Sequence, residues 1–262
     1  MLKDAIRKLP PLYRFLSRAK QIIPRFGRIF LPYRCRVYEK RIGFHADPIW
    51  RYLVFSISEW FPISSCVETG SFKGDTTLFL VNIFPKVITY SIEIVNEYFK
   101  ESTWRLRNFK NSLIIKKNSP QGIADLIKES KLGSTPFFFL DAHWYEYWPL
   151  PDELKEISKL DKAIIIIDDF KIEGRPEYGF DTYKAGDKDL PNDFNFISGS
   201  MTAKSYRYLL PKYRIEEAFP ETPRTLRGYV VIFQNISEDE WQKVANSELV
   251  KSKYSTGIFP MR

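Results

Sequence analysis

Ser65–Thr77 reads SCVETGSFKGDTT, and the fold follows from how this stretch is parsed. A short strand ends in an acid, Glu68. A turn with two glycines follows, Gly70 and Gly74, and a helical pattern opens near Asp75. Strand, glycine turn and helix in that order mark the ligand end of an open α/β sheet, where ligands bind beyond the carboxyl ends of the strands. Gly70 and Gly74 allow close backbone approach. Asp75 and Thr76 are candidate caps of the helix.

Outward from this turn the chain alternates. Asp47-Pro48 reads as a cap and first residue of a helix to Trp60. Helical patterns at 76–84, 96–108, 121–129 and 151–159 separate short strands at 65–68, 87–92, 112–115, 137–140 and 163–167, the last a continuous apolar run. Such alternation predicts βαβ units and a parallel sheet covered on both faces. Residues 170–198 are rich in Gly, Asp, Asn and Pro and predict a long loop, a lid or binding element. A helix over 201–210, a closing antiparallel strand pair at 213–217 and 227–233, and a helix over 238–249 complete the reading. The expected fold class is therefore α/β, a doubly wound, mostly parallel seven-stranded sheet with an antiparallel terminal hairpin.

Charge divides the chain. Residues 1–41 hold twelve Lys/Arg and two acids, a net +10, while the other residues hold 28 basic and 30 acidic groups, a net −2. The arm also carries Leu12, Phe15, Leu16, Ala19, Ile22 and Ile23 at helical spacing. It reads as a basic amphipathic helix, either for an anionic membrane surface or for docking on the body or a second subunit. A homo-oligomer stays open. A body without basic excess disfavours nucleic acid as a partner. Two cysteines, no transmembrane-length apolar run and no signal peptide point to a cytoplasmic protein, peripheral to the inner face of a membrane if the arm binds lipid.

The turn discriminates between cofactors. A dinucleotide fingerprint spaces its glycines G-x-G-x-x-G. Here the spacing is G-x-x-x-G with an acid before it, which repels a pyrophosphate and attracts an ammonium group. A second acid, Glu93, ends the next strand, where it would accept from ribose hydroxyls. Two further acid sites follow later strands. Asp141-Ala-His143-Trp-Tyr-Glu146 lies past the fourth, and Asp168-Asp169 past the fifth. Three carboxylates in one crevice call for a cation, and hard oxygen donors favour Mg²⁺. His143 is the candidate general base, better placed in the chain than His45, with Glu146 next. Trp144, Tyr145, Tyr147 and Trp148 would suit stacking on a sugar or ring.

The E-x-G-x-x-x-G-D-[ST]-T pattern with its downstream acid resembles motif I of class I S-adenosylmethionine-dependent methyltransferases. The resemblance implies that Glu68, Gly70, Gly74 and Thr76 surround the methionine moiety, with Ser71 and Asp75 in the same turn, and that Glu93 binds ribose. It implies that Asn118 and Ser119 flank adenine. The acidic constellation is similar to the macrocin O-methyltransferase family, metal-dependent enzymes acting on sugar hydroxyls, and more loosely to catechol methyltransferases. Carried over, the likeness makes Asp141, Asp168 and Asp169 metal ligands, with Asp141 also at the reacting centre beside the cofactor. His143 stands where that family has its second acid, the base. The implied activity is O-methylation of a small polar acceptor, a sugar or glycoconjugate first, with S-adenosylmethionine and Mg²⁺. A metal-dependent hydrolase and a non-catalytic membrane-surface module are the rival readings.

Overall fold

The computed structural model describes residues 43–143, 147–185, 187–220 and 225–259. The basic arm, residues 1–41, and Trp144, Tyr145 and Glu146 lie outside the described residues.

Eight strands form the main sheet. Five are parallel: β1 (Ser65–Thr69), β2 (Thr89–Glu93), β3 (Ser112–Lys116), β4 (Pro136–Leu140) and β5 (Ala163–Asp168). The loop and C-terminal part adds β6 (Tyr178–Gly179), β7 (Thr182–Ala185), β8 (Lys188–Pro191), β9 (Tyr206–Pro211), β10 (Leu226–Arg227), β11 (Tyr229–Gln234) and β12 (Tyr254–Ile258). The spatial order of the main sheet is β12-β9-β11-β5-β4-β1-β2-β3. Chain order reverses between β1 and β4, the switch point of a doubly wound sheet, so the ends of β1 and β4 open a crevice there.

Burial explains the apolar runs. Every residue of β1, β2, β4 and β5 is buried, because helices cover both faces. Phe137, Phe138 and Phe139 are at most 1% exposed, so β4 cannot alternate as a half-exposed strand would. The helices are α1 (Pro48–Trp60), α2 (Asp75–Ile83), α3 (Asn96–Leu106), α4 (Ser119–Lys128) and α5 (Leu150–Ile157), followed by α6 (Phe194–Ser198), α7 (Ile215–Ala218), α8 (Glu238–Ala245) and α9 (Glu248–Lys253). The Asp47 carboxylate caps α1, accepting from the amides of Ile49 at 2.8 Å and Trp50 at 3.1 Å.

The C-terminal third differs from its sequence reading. β11 lies antiparallel between β5 and β9, so the antiparallel pair exists. Its first member is Tyr206–Pro211, where a helix over 201–210 is predicted. Pairing on both sides, with β11 and β12, holds these residues extended. The predicted strand 213–217 is instead the start of α7. Tyr213 leaves the sheet because its hydroxyl donates to the Asp47 carboxylate at 2.6 Å. The predicted helix 238–249 breaks at Asn246-Ser247, where Ser247 caps α9. The eighth strand, β12, is absent from the sequence reading. It pairs at the edge with β9, and Gly257 makes room there: a Cβ would lie 2.2 Å from Tyr208 Cζ. The stretch 170–198 is not structureless. It carries a β7–β8 hairpin, β6 paired with β10, and α6. No helix among the described residues is long and apolar enough to cross a membrane.

Candidate functional site

β1 ends in Glu68 and Thr69, and the turn 70–74 then doubles back into α2. Gly70 has φ 78° and its amide donates to Ile92 of β2 at 2.9 Å. A Cβ at Gly70 would lie 2.6 Å from the Asp141 carbonyl. The glycine therefore admits the chain leaving β4, as well as facing the cleft. Gly74, φ 76°, is the cap residue of α2, and its open side faces Ser102 and Leu106 of α3. It serves helix packing and does not line the cleft. Phe72 lies in the left-handed region at φ 43°.

Glu93 closes β2 at the cleft floor. Its carboxylate accepts from the Phe72 amide and the Val95 amide, both at 2.8 Å. Each oxygen keeps a further lone pair. The cleft above it holds ≈ 760 Å³, within the usual range for small-molecule sites. Gly70, Glu93, Ser119, Asp141, His143 and Asp169 line it, joined by His45, Phe72, Tyr98, Trp148, Asp181, Tyr183 and Lys184. Ser119 is buried beside the Glu153 carboxylate, which burial pushes up to about 7 against the opposing pull of the Ser119 and Thr69 hydroxyls. A buried hydroxyl lining the cleft fits a nucleoside-bearing ligand. The acidic floor and glycine spacing fit a cationic one better than a pyrophosphate.

Several sequence-predicted residues lie elsewhere. Glu68 is sealed beneath the turn at 1% exposure and does not line the cleft. Its carboxylate accepts from the Thr77 hydroxyl and from the Ser91 hydroxyl at 2.6 Å. Burial pushes it up to about 7, against the opposing pull of those two donors. It holds β1, β2 and α2 together. Asp75 is exposed and pairs with Arg105, and Thr76 is half-buried off the cleft, so neither caps α2 by its side chain. Ser71 is buried off the cleft, and Asn118 precedes α4 without a side-chain cap. Of the predicted cofactor set, Gly70, Glu93, Ser119 and Asp141 reach the cleft.

The acids after β4 and β5 converge, in two overlapping groups. His45, Asp168 and Asp169 bring one donor atom each within 4.8 Å of one another, and so do Asp141, His143 and Asp169. Charge repulsion among the three aspartates is already reduced without an ion, contrary to the sequence argument. The Arg227 guanidinium, from β10, pairs with Asp169 and with Asp181, and His45 Nε2 lies 2.8 Å from Asp168 Oδ2. Acid still dominates. Burial, then the charges of Asp168 and Asp169, push Asp141 well up. Burial and Asp168 hold Asp169 up despite Arg227. Asp169 sits at φ 53°, its amide donating to the Asp168 carboxylate at 2.7 Å.

His143 faces the cleft, exposed, with Nε2 3.9 Å from Asp181 Oδ2. His45 is the residue that sequence order undervalues. It precedes α1 by three positions, yet reaches Asp168 across the sheet. Burial opposes its protonation, but Asp168 outweighs it and moves the imidazole up. The Asp47 cap, two residues on, was a visible signal that this segment is fixed.

Comparisons with known proteins place the fold. The sequence matches no family model, and no curated protein resembles it in sequence. The structure is similar to the O-methyltransferase TomG from Streptomyces achromogenes, solved with S-adenosylmethionine, at TM-score 0.51 and 12% identity over 80% of this chain and 94% of that one. It is also similar to an O-methyltransferase from Bacillus cereus solved with S-adenosylhomocysteine, at TM-score 0.50 and 11% identity over 79% of this chain and 94% of that one. The chain therefore has the class I methyltransferase fold, here with an eighth strand at the edge.

Proposed function

We propose that the protein transfers a methyl group from S-adenosylmethionine to a hydroxyl of a small polar acceptor, a sugar or glycoconjugate first. The observation that carries this is Glu93, a carboxylate fixed by two backbone amides at the floor of the cleft, with lone pairs left for a ribose diol. When bound, the cofactor supplies an electrophilic methyl group on a sulfonium centre. Glu93 would hold its ribose, Ser119 would take up a polar contact beside the base, and the turn at Gly70 would face the methionine end. Thr182, Tyr183 and Lys184 of β7 line the same cleft, and holding two reactants in line is itself a large part of such catalysis. Trp148 and Tyr183, with ring centroids 6.3 Å apart, offer apolar faces to a sugar ring. His143 would accept the proton of the acceptor hydroxyl.

Asp141, Asp168 and Asp169 would hold a divalent cation such as Mg²⁺, which when bound acidifies a coordinated hydroxyl. Asp168 and Asp169 converge with His45, and Asp141 and Asp169 converge with His143, each trio offering two carboxylates and one imidazole, a set that hard divalent ions accept. A hydrolase using the same acids leaves the Glu93 cradle without a purpose.

The test is calorimetry of the full chain with S-adenosylmethionine, S-adenosylhomocysteine and NAD. Binding of the first two is expected, weakened by about 1–3 kcal/mol in Glu93→Ala through loss of the ribose acceptor. Tighter binding of NAD than of S-adenosylmethionine would overturn the reading.

A further inference from the structure

We propose that His45 is itself a ligand of that cation, giving the site a mixed nitrogen–oxygen donor set that favours Mn²⁺-like ions over Mg²⁺. The inference rests on the cation reading above and extends it to a residue from outside the strand ends.

The geometry comes first. His45 Nε2 and Asp168 Oδ2 are 2.8 Å apart. Two donors at right angles around an ion, each at about 2.1 Å, are separated by about 3.0 Å. The pair is thus spaced near one edge of a coordination shell, with the ion taking the place of the proton that the two groups now share and that proton released to solvent. Asp169 brings a third donor atom within 4.8 Å of both.

The position of His45 is held from both sides. Phe44, His45 and Ala46 all lie in the left-handed region, at φ 50°, 49° and 61°. Each such residue costs on the order of 1–2 kcal/mol, so the surroundings must impose the turn. Phe44 is 1% exposed and packs its ring against Phe139 at 4.8 Å and Trp50 at 5.2 Å. Asp47 is fixed by the α1 amides and by Tyr213. The imidazole is therefore delivered to Asp168 as a preorganised group, as a ligand must be.

An independent observation points to an occupant. A second, small cavity of ≈ 10 Å³ lies beside the acids, lined by Asp141, His143, Glu153, Asp168, Asp169 and Asn192 among others; His45 lies outside this lining and meets it through its bond to Asp168. That is room for one water-sized group. Asn192 is 1% exposed, yet its Oδ1 makes no hydrogen bond. The Asn192 amide nitrogen donates to the Asp168 carbonyl at 3.0 Å, which fixes the side chain beside the aspartates. A buried oxygen without a donor is costly. A cation or its bound water supplies what Asn192 Oδ1 lacks. One imidazole among oxygens raises affinity for Mn²⁺ and later first-row ions more than for Mg²⁺.

The experiment titrates the full-length protein with Mn²⁺ and with Mg²⁺ by calorimetry, and records pulsed electron paramagnetic resonance of the Mn²⁺ complex. Wild type is expected to bind Mn²⁺ more tightly and to show a directly coordinated imidazole nitrogen. His143→Ala should keep that nitrogen signal. His45→Ala and His45→Gln should lose it and lose at least ~10-fold in Mn²⁺ affinity. His45→Gln retains a group that pairs with Asp168, and near-ultraviolet circular dichroism reports that each variant is folded. Mn²⁺ bound without nitrogen, or nitrogen lost in His143→Ala instead, would overturn the assignment and leave the cation reading standing. Binding of neither ion would overturn both.

Discussion

Replacing Glu68 by glutamine separates its structural role from a cofactor role through pH. The carboxyl is 1% exposed, and burial moves it from an ordinary 4.5 up to about 7. Between those two values the unfolded chain has lost this proton and the folded chain keeps it. Folding takes up a proton in that window, so wild-type stability falls as pH rises from about 4.5 to about 7. The gap corresponds to about 3 kcal/mol. The glutamine side chain of Glu68→Gln is nearly isosteric and carries no charge, so the variant escapes that loss. It makes a poorer partner for Thr77 and Ser91, at about 1 kcal/mol. The variant should therefore be slightly less stable than wild type near pH 4.5 and more stable by about 2 kcal/mol near pH 7.5. Urea unfolding followed by tryptophan fluorescence, at pH values across this range, measures the difference. Parallel stability curves would show that Glu68 does not titrate in the window, and the reasoning would fail. Binding of S-adenosylmethionine should survive, since Glu68 does not line the cleft.

Gly70→Ala should cost about 2 kcal/mol or more, from the left-handed φ and a Cβ forced to 2.6 Å from the Asp141 carbonyl; a denaturation midpoint equal to wild type would contradict the close approach. Tyr213→Phe removes the hydroxyl that donates to buried Asp47 and should cost about 1–3 kcal/mol in urea unfolding; an unchanged midpoint would mean that this bond does not anchor the segment before α1. His143→Ala should keep cofactor binding but lose ~10²–10⁴ in methyl-transfer rate, measured with the acceptor identified by screening, and full activity would move the base elsewhere.

The sheet's parallel half was legible because its signal is local. β4 and β5, buried on both faces, read as the apolar runs PFFFL and AIIIID, β1 and β2 read as short strands between helices, and the glycine turn after Glu68 marks the switch point. The place of Glu93 in the cleft was legible for the same reason: it ends a strand of the parallel half. The C-terminal part was not. Tyr206–Pro211 is a strand because two neighbours pair with it, and Tyr254–Ile258 because an edge was open beside it. Neither fact is local. Motif position alone did not give burial: Glu68 and Thr76 stand next to cleft residues in the chain, yet one side chain is sealed between β1, β2 and α2 and the other lies half-buried off the cleft. His45 lies 123 residues from Asp168, and no spacing rule joins them. Sequence by itself determined which chemistry-bearing groups end the parallel strands, because a strand end places its last side chain by geometry alone. Only the tertiary structure decided which of those groups face the cleft, which are neutralised by Arg227, and that a histidine ahead of the first helix joins them, because these depend on packing between segments far apart in the chain.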